Sequence, residues 1–539
     1  MSISDRPYKT ILKRNVNRLK DADARETNII ASCVMAEVIR TTFGPQGMDK
    51  MIIDPVDEII ITNDGATVVK NFDKRHPMAK LLDMLVRAQD DETGDGTKTI
   101  VIYMGELLRK ALELMDKGLS PSIIIGGYQK AAEYTAQILA ENAITIDPSD
   151  DTTLKQVAGT VLLGKTIGDV DLFTAIALRA VRQVSEMIDG RIKVNIKKIA
   201  ILAKPGESIH ESQLINGMAI EKEVSREDMP KMVANAKIAI IGPSIESTKP
   251  KQKSRISIQS PELMQDFKVQ ERQILRDTID RILNLGVNVI LSRRDFSEEA
   301  QLYLSLRNIL VAQFVRGWDL EKIADAIGAQ LITDFQDIKP EYLGYAEVVE
   351  EQKVGKDKVI FIRGCKDPKA LCIYLRGGTE HIVYEAERRM NDALCVLRDV
   401  IEDQKILVGG GAIELEIARK VREWGSNFGG KEQLAIKAYA DAFEVISRTL
   451  IENAGLDPID ILPRLRELHA NSQDGPLYGF DVFSKKIANM RELGIYDAYR
   501  VKFYAVKAAD ELARQILNID DVIHAKPGEY ETVKDEEEI

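Results

Sequence analysis

The sequence predicts a multidomain protein of the α and α/β class, in which a helical domain built from both ends of the chain carries an inserted α/β part. Three observations lead to this prediction. The length of 539 residues suggests about two to four domains, and an apolar fraction of 45% is enough for several cores. The pattern along the chain runs from helical to α/β and back to helical. Because chain termini often lie close together, one helical domain with an insertion is a better interpretation than three consecutive domains.

The first ~145 residues predict helices with one hairpin. Apolar residues recur at helical spacing over residues 27–42, and residues 51–65 contain two β-rich runs separated by a proline. Helical spacing returns over residues 78–141, where glycine-rich or proline-containing breaks fall at 92–99 and 117–122. Three successive helices are therefore expected after the hairpin.

The middle of the chain changes in pattern. Residues 150–190 still have helical spacing, but from residue 191 to about 378 short β-branched runs alternate with helical stretches. That alternation is typical of an α/β domain. From Glu380 onward the sequence predicts an almost wholly helical structure, followed by the acidic tail KDEEEI.

Composition excludes several classes of protein. With 74 Lys and Arg against 85 Asp and Glu, the formal charge is −11, which disfavours nucleic-acid binding. The sequence has no apolar run of 18 residues and no apolar segment near its start, so we expect neither a membrane span nor a secretory signal. Four cysteines without a CxxC pair, and five scattered histidines, favour reduced thiols in a cytoplasmic protein. A cytosolic enzyme, a binding machine or an assembly subunit remains.

One segment matches the P-loop pattern literally, and it would make the chain a metabolic nucleotide enzyme. Residues 159–166 read GTVLLGKT. A P-loop needs a strand before it and small residues within it, whereas the preceding DDTTLKQVA has a helical start signal and the loop would hold Val161, Leu162 and Leu163. We therefore favour a helix end at this position.

A second set of motifs combines glycine-rich loops with helix starts. These are Gly44–Gly47, Asn63–Thr67, Gly94–Thr99 and Leu407–Ala412. Glycine-rich loops at helix N-termini expose N–H groups at the positive end of the helix dipole, which suits phosphate. Asp95, between two glycines, suits a magnesium ion that keeps waters and phosphate oxygens as its other ligands. Each loop taken singly is also compatible with a simple turn.

In combination and in this order the motifs are specific. TTFGPQG, TNDGAT, ETGDGTKT, NDAL, LVGGGAIELE and ENAGLDPID follow one another along the chain. The chain resembles the group II chaperonins, the family of the archaeal thermosome and its eukaryotic cytosolic relatives, from about residue 10 to residue 527. Within that family it is most similar to archaeal thermosome subunits.

The resemblance implies an ATP-dependent molecular chaperone, with ATP and Mg²⁺ as cofactors. Such subunits join self and sister subunits in two stacked rings that enclose non-native client proteins, and ATP hydrolysis closes a built-in lid. No nucleic-acid partner and no membrane span are implied. The implied chaperonin fold has a mainly helical equatorial domain (1–149 and 405–539), a small α/β intermediate domain (150–217 and 374–404) and an α/β apical domain (218–373) with a helical protrusion at about 244–270.

The resemblance also assigns site residues, position by position. Asp64 would lie beside the γ-phosphate and Asp392 would orient or deprotonate the attacking water, while Asp95 would bind magnesium. Nucleotide-binding positions would be Gly44, Pro45, Gly96, Thr97, Lys98, Thr99, Lys165, Gly410, Gly411, Asp497 and Lys502. Apolar side chains of the protrusion would meet clients or neighbouring lids, or else pack locally: Ile256, Ile258, Leu263, Met264 and Phe267.

Some positions depart from the family pattern. Lys98 stands where the GDGTT motif has threonine, Gln46 replaces the lysine of GPKG, and Asn391 replaces the histidine before the catalytic aspartate. A lysine at position 98 would either add positive charge for phosphate or crowd the site. These departures predict a specialised, slower subunit of a hetero-oligomer. The alternative is a structural or regulatory ring or filament subunit with weak ATPase activity.

Overall fold

The computed structural model describes residues 16–525, apart from 54–56, 58, 164–167, 246–260, 336–337 and 367. The chain divides into two compact units. Unit 1 comprises Met1–Thr145 and Lys405–Ile539, and unit 2 comprises Ile146–Gln404. The further division of unit 2 into an intermediate and an apical domain stays a prediction. In the part of the chain that the model describes, no helix is long and apolar enough to cross a membrane.

The N-terminal part of unit 1 is mainly helical. Its elements are β1 (Val16–Lys20), α1 (Asp21–Arg40), β2 (Lys50–Ile53), β3 (Ile59–Thr62), α2 (Gly65–Lys70), α3 (Pro77–Thr93), α4 (Thr97–Asp116), α5 (Pro121–Glu141) and β4 (Ile144–Thr145). The predicted hairpin is confirmed, since β2 and β3 pair antiparallel from Lys50–Thr62 to Ile53–Ile59. The predicted breaks separate α3, α4 and α5, and Pro121 occupies the first turn of α5, where its missing N–H costs nothing.

Unit 2 begins with helices and continues as an α/β structure. Its elements are α6 (Asp151–Leu162), α7 (Val170–Gln183), β5 (Ser185–Ile188), β6 (Arg191–Val194), β7 (Ile199–Pro205), β8 (Gln213–Ile215), β9 (Gly217–Ile220), β10 (Met232–Ile241), α8 (Pro261–Leu283), β11 (Val289–Ser292), α9 (Glu298–Leu306), β12 (Leu310–Ala312), α10 (Gly317–Ile327), β13 (Leu331–Ile332), β14 (Gly344–Val354), β15 (Asp357–Arg363), β16 (Leu371–Gly377) and α11 (Glu380–Asp403).

The helical prediction for residues 150–190 is wrong at its end. Strand β5 pairs antiparallel with β6 there. The two residues between the strands, Asp189 and Gly190, both have positive φ, as a type I′ hairpin turn requires. The Asp-Gly dipeptide was therefore a stronger signal than the helical spacing before it.

A seven-stranded mixed sheet forms the core of unit 2, in the order β12-β11-β10-β14-β15-β9, with β13 also paired to β10. Strand β10 runs parallel to β11 and antiparallel to β14. Its segment Ile238–Ile241 is completely buried, as expected for a strand covered on both faces. A smaller sheet, β7-β16-β8, lies in the same unit.

The literal P-loop match is explained by α6. The helix includes Gly159 and runs to Leu162, so the strand that a P-loop requires does not precede the pattern. The metabolic P-loop alternative is therefore wrong. Lys165 lies outside the described residues.

The chain returns to unit 1 through β17 (Lys405–Val408), α12 (Ala412–Gly425), α13 (Gly430–Asn453), α14 (Pro458–Asn471), β18 (Tyr478–Asp481), β19 (Lys486–Asn489), β20 (Tyr496–Ala498), α15 (Tyr499–Leu517) and β21 (Asp521–Ala525). The prediction of an almost wholly helical structure missed the strands here, which are each three to five residues long. Short runs of this kind carry too few residues to show a period of two. Strand β21 pairs with β1 and so joins the two ends of unit 1.

Helix α4 lies at the centre of unit 1. Every residue from Thr99 to Leu108 is buried, and the helix packs against α1, α13 and α15. A Cβ on Gly105 would overlap Ala36 of α1, so glycine allows these two helices to approach closely. The same core buries Tyr103 against Phe443 of α13, with ring centroids 4.9 Å apart.

Asp510 of α15 provides a test of this core. Its side chain is 2% exposed, and burial raises the pKa of its carboxyl to about 6, although the partner Arg514 opposes the shift. The folded protein therefore holds this proton up to a higher pH than the unfolded chain. The contribution of Asp510 to the free energy of unfolding is accordingly most favourable near pH 4 and falls as pH rises through about 6.

We expect Asp510→Asn, which cannot ionise, to gain stability relative to the unmodified chain as pH rises from about 4 to about 7. A shift of this size corresponds to about 3 kcal/mol. Urea unfolding of both proteins at several pH values measures the difference, and Asp520→Asn, at an exposed position after α15, is the control. A stability difference independent of pH would contradict the prediction.

Candidate nucleotide-binding site

The GDGT loop connects two long helices by three residues. Helix α3 ends at Thr93 and is capped by Gly94, and α4 begins after its N-cap Gly96. Both glycines are left-handed, with φ of 68° and 83°. Only glycine adopts such backbone readily. An N-cap glycine offers no side-chain acceptor, so the first-turn N–H groups of α4 remain directed at whatever lies beyond the helix end. This arrangement favours an anion at the start of α4.

Gln89 of α3 fixes this loop from behind. Its side chain is fully buried, and its Nε2 donates to the carbonyl oxygen of Asp95 and to Oγ1 of Thr93, at 2.8 Å each. A Cβ on Gly96 would lie 2.8 Å from Gln89 Nε2 and 2.9 Å from Val501 Cγ1. The sequence prediction missed Gln89, although its place on the apolar face of α3, one turn after Val86, was a signal.

Asp95 lies between the two glycines of the GDGT loop, at a position from which its carboxylate would contact a metal ion that a bound phosphate also contacts. Its Oδ1 accepts a hydrogen bond from the N–H of Gly96 at 2.6 Å. Among the described residues no three His, Cys, Asp or Glu side chains form a cluster that could hold a metal. One carboxylate beside a phosphate-type loop does fit Mg²⁺, which usually keeps waters and takes substrate oxygens as its remaining ligands.

Asp64 caps α2 immediately beside the GDGT loop. Its Oδ2 accepts hydrogen bonds from the N–H and the Oγ1 of Thr67, at 2.6 and 2.7 Å. A Cβ on the next residue, Gly65, would lie 2.8 Å from Cγ of Lys98. The starts of α2 and α4 are therefore in contact, and the NDGAT and GDGT motifs form one surface.

The GPQG loop follows α1 and docks on α13. Gly44 has φ of 79°, and a Cβ on it would lie 2.7 Å from Leu450 Cδ2. Nδ2 of Asn453 donates to the carbonyl oxygens of Phe43, at 2.8 Å, and Arg40, at 3.1 Å. These bonds join the loop after α1 to α13, and they hold Gly44 and Pro45 in place.

Lys98 connects these loops to one another. Its ammonium donates to the carbonyl oxygen of Thr42, at 2.8 Å, and to Oδ1 of Asn63. The sequence had left open whether this lysine adds charge or crowds the site. In the structure its side chain bridges the loop after α1 and the loop before α2.

The GGGA loop connects β17 to α12. Gly410 and Gly411 have φ of 65° and 79°. A Cβ on Gly410 would overlap the sulfur of Met490, and one on Gly411 would overlap Oγ of Ser447. Ser447 Oγ also donates to the carbonyl oxygen of Gly411 at 3.0 Å. Helix α12 therefore begins, like α4, at a glycine that no other residue could replace without movement.

Asp497 and Lys502 belong to an ionic network in which Lys502 and Glu414 are buried and Asp497 is 28% exposed. Nζ of Lys502 lies 2.6 Å from Oε1 of Glu414 and 3.2 Å from Oδ2 of Asp497. The hydroxyl of Tyr103 also donates to Oε1 of Glu414, at 2.9 Å. Burial raises the pKa of Asp497 despite Lys502. Burial opposes ionisation of Lys502, but Asp497 and Glu414 together raise the pKa of its ammonium.

Asp497 lies beside the GGGA loop, since its Oδ2 would be 3.2 Å from a Cβ on Gly409. Val501, the residue before Lys502, connects this network to the GDGT loop, because its Cγ1 would lie 2.9 Å from a Cβ on Gly96. Helix α13 contacts both Gly411, through Ser447, and Gly44, through Leu450. Four loops of unit 1 (GPQG, NDGAT, GDGT and GGGA) and the β20–α15 segment are thus connected by direct contacts.

The remaining predicted residues lie in unit 2 or outside the described residues. Asp392 lies on α11 and is partly buried, next to the exposed Asn391. Positions 263, 264 and 267 (Leu263, Met264 and Phe267) fall within α8. Ile256, Ile258 and Lys165 lie outside the described residues. The roles assigned to all these side chains stay predictions.

Comparison with known proteins supports the interpretation of the motifs. Residues 35–527 match the model of the TCP-1/cpn60 chaperonin family. A thermosome subunit of Desulfurococcus sp. (strain SY) is 46% identical over 516 residues, which cover 96% of this chain and 94% of the relative. Thermosome subunit alpha of Archaeoglobus fulgidus is 44% identical over 97% of this chain and 95% of its own length, and a thermosome subunit of Pyrococcus abyssi is 44% identical over 97% and 94%.

The predicted resemblance, its thermosome character and the predicted fold class are confirmed by these matches. The glycine-rich loops, the ionic network behind them and the end-to-end similarity agree, and the chain therefore belongs to the TCP-1/cpn60 chaperonin family.

Proposed function

We propose that the four glycine-containing loops of unit 1 and the β20–α15 segment form the ATP site of a ring-forming chaperonin subunit, and that their side chains act as the resemblance implies. Membership of the family makes the chain an ATP-hydrolysing chaperone. The observation that carries the proposal for the site is that two glycine-capped helix starts, those of α4 and α12, are connected through neighbouring residues of α15. Val501 lies beside Gly96, and Lys502 bonds to Glu414 in the first turn of α12. Two such N-termini on one site favour a polyphosphate over a neutral ligand.

Within this site each group has a separate task. The first-turn N–H groups of α4 and the hydroxyls of Thr97 and Thr99 hold phosphate oxygens, and Asp95 holds Mg²⁺. The metal ion, when bound, would offset the charge of the phosphates. Asp64 faces the terminal phosphate, where its carboxylate oxygen is already oriented by Thr67. Catalysis of this kind depends on positioning and charge stabilisation more than on covalent chemistry.

Gly410 and Gly411 let the backbone approach the nucleotide, and Asp497 accepts a hydrogen bond from the ribose. Lys502 bridges Asp497 and Glu414 and so keeps this side of the site rigid. Asp392 is the general base for the attacking water, an assignment that rests on the NDAL motif of α11. A change at Asp392 should therefore affect ATP hydrolysis without affecting ATP binding.

We expect Asp392→Asn to lower the rate constant of ATP hydrolysis at least about 100-fold, because loss of a general base has an effect of that order. The dissociation constant for ATP should change less than about twofold. Steady-state phosphate release and calorimetric ATP binding measure the two quantities. Glu380→Gln, an exposed position on the same helix, is the matched control, and unchanged hydrolysis by Asp392→Asn would contradict the assignment.

We expect Asp95→Asn to change the magnesium dependence of ATP hydrolysis. It should raise the magnesium concentration needed for half-maximal ATP hydrolysis, because the amide lacks the charge that attracts the metal. A magnesium titration of hydrolysis at saturating ATP checks this prediction. An unchanged midpoint with a lowered rate would place Asp95 away from the metal.

The β2–β3 hairpin supports assembly of copies into rings. Met51 pairs with Ile61 and Ile53 with Ile59 across the strands, and all four side chains are about half to two-thirds exposed. They therefore form one apolar face on the hairpin. Exposed apolar patches of this kind usually contact another protein, and we assign this face to a neighbouring subunit in one of two stacked rings.

We expect Met51→Lys with Ile61→Lys to weaken assembly, because two charges would enter the covered face. Sedimentation velocity should show smaller species at micromolar concentration, while ATP binding to unit 1 persists. Met187→Lys, an equally exposed methionine on β5 of unit 2, is the control. Intact assemblies of the double variant would show that the hairpin lies outside the interface.

The thermosome relatives support a chaperone and do not support the alternative of a weakly active structural subunit. We propose in addition that the departures at Lys98, Gln46 and Asn391 slow hydrolysis relative to sister subunits, and that non-native proteins are the clients. The four free cysteines support a cytoplasmic location. Burial raises the pKa of Cys33 and Cys365 to about 11, so both thiols stay protonated at neutral pH.

A further inference from the structure

A cavity of about 460 Å³ lies within unit 2 and includes none of the nucleotide motifs. A volume of this size can hold a small molecule. The lining of the cavity includes three cationic side chains, Lys353, Arg363 and Arg376, and two carboxylates, Glu207 and Glu211. The excess of positive charge in this lining suits an anion.

Arg376 of β16 is the buried cation of this cavity. Its side chain is 3% exposed, and its Nη1 donates to the hydroxyl of the buried Tyr374 at 3.0 Å. The backbone N–H of Arg376 donates to Oγ of the buried Ser212, also at 3.0 Å. Its Nε is buried and has no hydrogen-bond partner among the described residues. Because a guanidinium has five N–H donors in a fixed fork, Arg376 is firmly held and still has donors to offer an oxyanion.

Glu207 is the present partner of Arg376. Its Oε2 lies 2.7 Å from Nη2 of Arg376, while its side chain is 60% exposed. Its backbone has φ of 63°, which costs free energy in a residue other than glycine. A hydrogen bond with Glu211 lowers the pKa of Glu207 and raises the pKa of Glu211. The ion pair is therefore made by an exposed, crowded carboxylate on unfavourable backbone, the kind of contact that an external anion displaces.

Arg363 of β15 brings a second guanidinium to the same cavity. Its Nε lies 3.6 Å from Oε1 of Glu350, which is too far for a hydrogen bond, and this Nε is buried without a partner among the described residues. The guanidinium lies over the ring of Phe361, 4.7 Å from its centroid. Lys353 of β14 also lines the cavity and is exposed. Cations from three neighbouring elements can therefore contact one ligand.

We propose that this cavity binds a small anion through a carboxylate or phosphate group, which takes the place of the Glu207 carboxylate on Arg376. Arg363 and Lys353 supply the remaining positive charge. Glu207 is then an internal competitor that the ligand must displace. The inference is independent of the proposed ATP site, because all of the lining residues belong to unit 2.

The test is calorimetric titration of the full-length protein with succinate and, separately, with inorganic phosphate. The protein is first saturated with Mg²⁺ and a non-hydrolysable ATP analogue, so that the nucleotide loops do not take up the probe. Succinamide, the uncharged diamide of similar size, should not bind. Binding of one anion and not the other would identify the group that the cavity recognises.

Two variants assign the binding to this cavity. Glu207→Gln keeps the size of the side chain but removes its charge, and it should lower the dissociation constant at least about fivefold, because the competing state is less populated. Arg363→Gln should raise it at least about tenfold, as expected for loss of hydrogen bonds to a charged group. Lys356→Gln, which removes an exposed charge from the turn between β14 and β15, is the matched control and should leave the dissociation constant unchanged.

Three results would overturn the proposal. The first is that neither anion binds to the Glu207→Gln protein at millimolar concentration. The second is an affinity that Glu207→Gln and Arg363→Gln leave unchanged, which would place the anion elsewhere on the molecule. The third is equal binding of succinamide, because an uncharged ligand has no use for the arginines.

Discussion

The site in unit 1 depends on one steric constraint, which is that its loops have no room for a Cβ atom. Gly96 is enclosed by Gln89 and Val501, Gly410 by Met490 and Gly411 by Ser447. All three glycines also have left-handed backbone, which costs other residues free energy. The constraint brings backbone N–H groups, rather than side chains, to the surface where a ligand would bind.

Behind these glycines lies a layer of buried polar side chains with defined partners. Gln89 holds the GDGT loop, Asn453 holds the GPQG loop, and Glu414 joins Tyr103 to Lys502. Removal of one partner from such a network would leave a buried charge or donor unsatisfied, which is costly. The rigidity of the loops therefore comes from residues that would not contact the nucleotide themselves.

Much of this was predictable from sequence, for reasons that particular residues show. The hairpin β2–β3 and the helices α3 to α5 were correct because glycine and proline mark their ends and their apolar residues repeat regularly. The β5–β6 hairpin was missed because an Asp-Gly turn was outweighed by helical spacing. The motifs identified the glycine loops. Gln89 lies just before the ETGDGTKT motif and Asn453 lies within ENAGLDPID, but their partners, like that of Ser447, are revealed only by the packing of α3 and α13.

The pairing of β4 with β17 shows where in the chain unit 2 is inserted into unit 1. Thr145 and Lys405, the last and first residues of the two parts of unit 1, are Cα partners in an antiparallel ladder. Ends this close can be joined by a turn of about two residues. The 259-residue insertion is thus attached where a hairpin turn would otherwise stand, so a chain in which a short turn replaces Ile146–Gln404 would retain every strand and helix of unit 1.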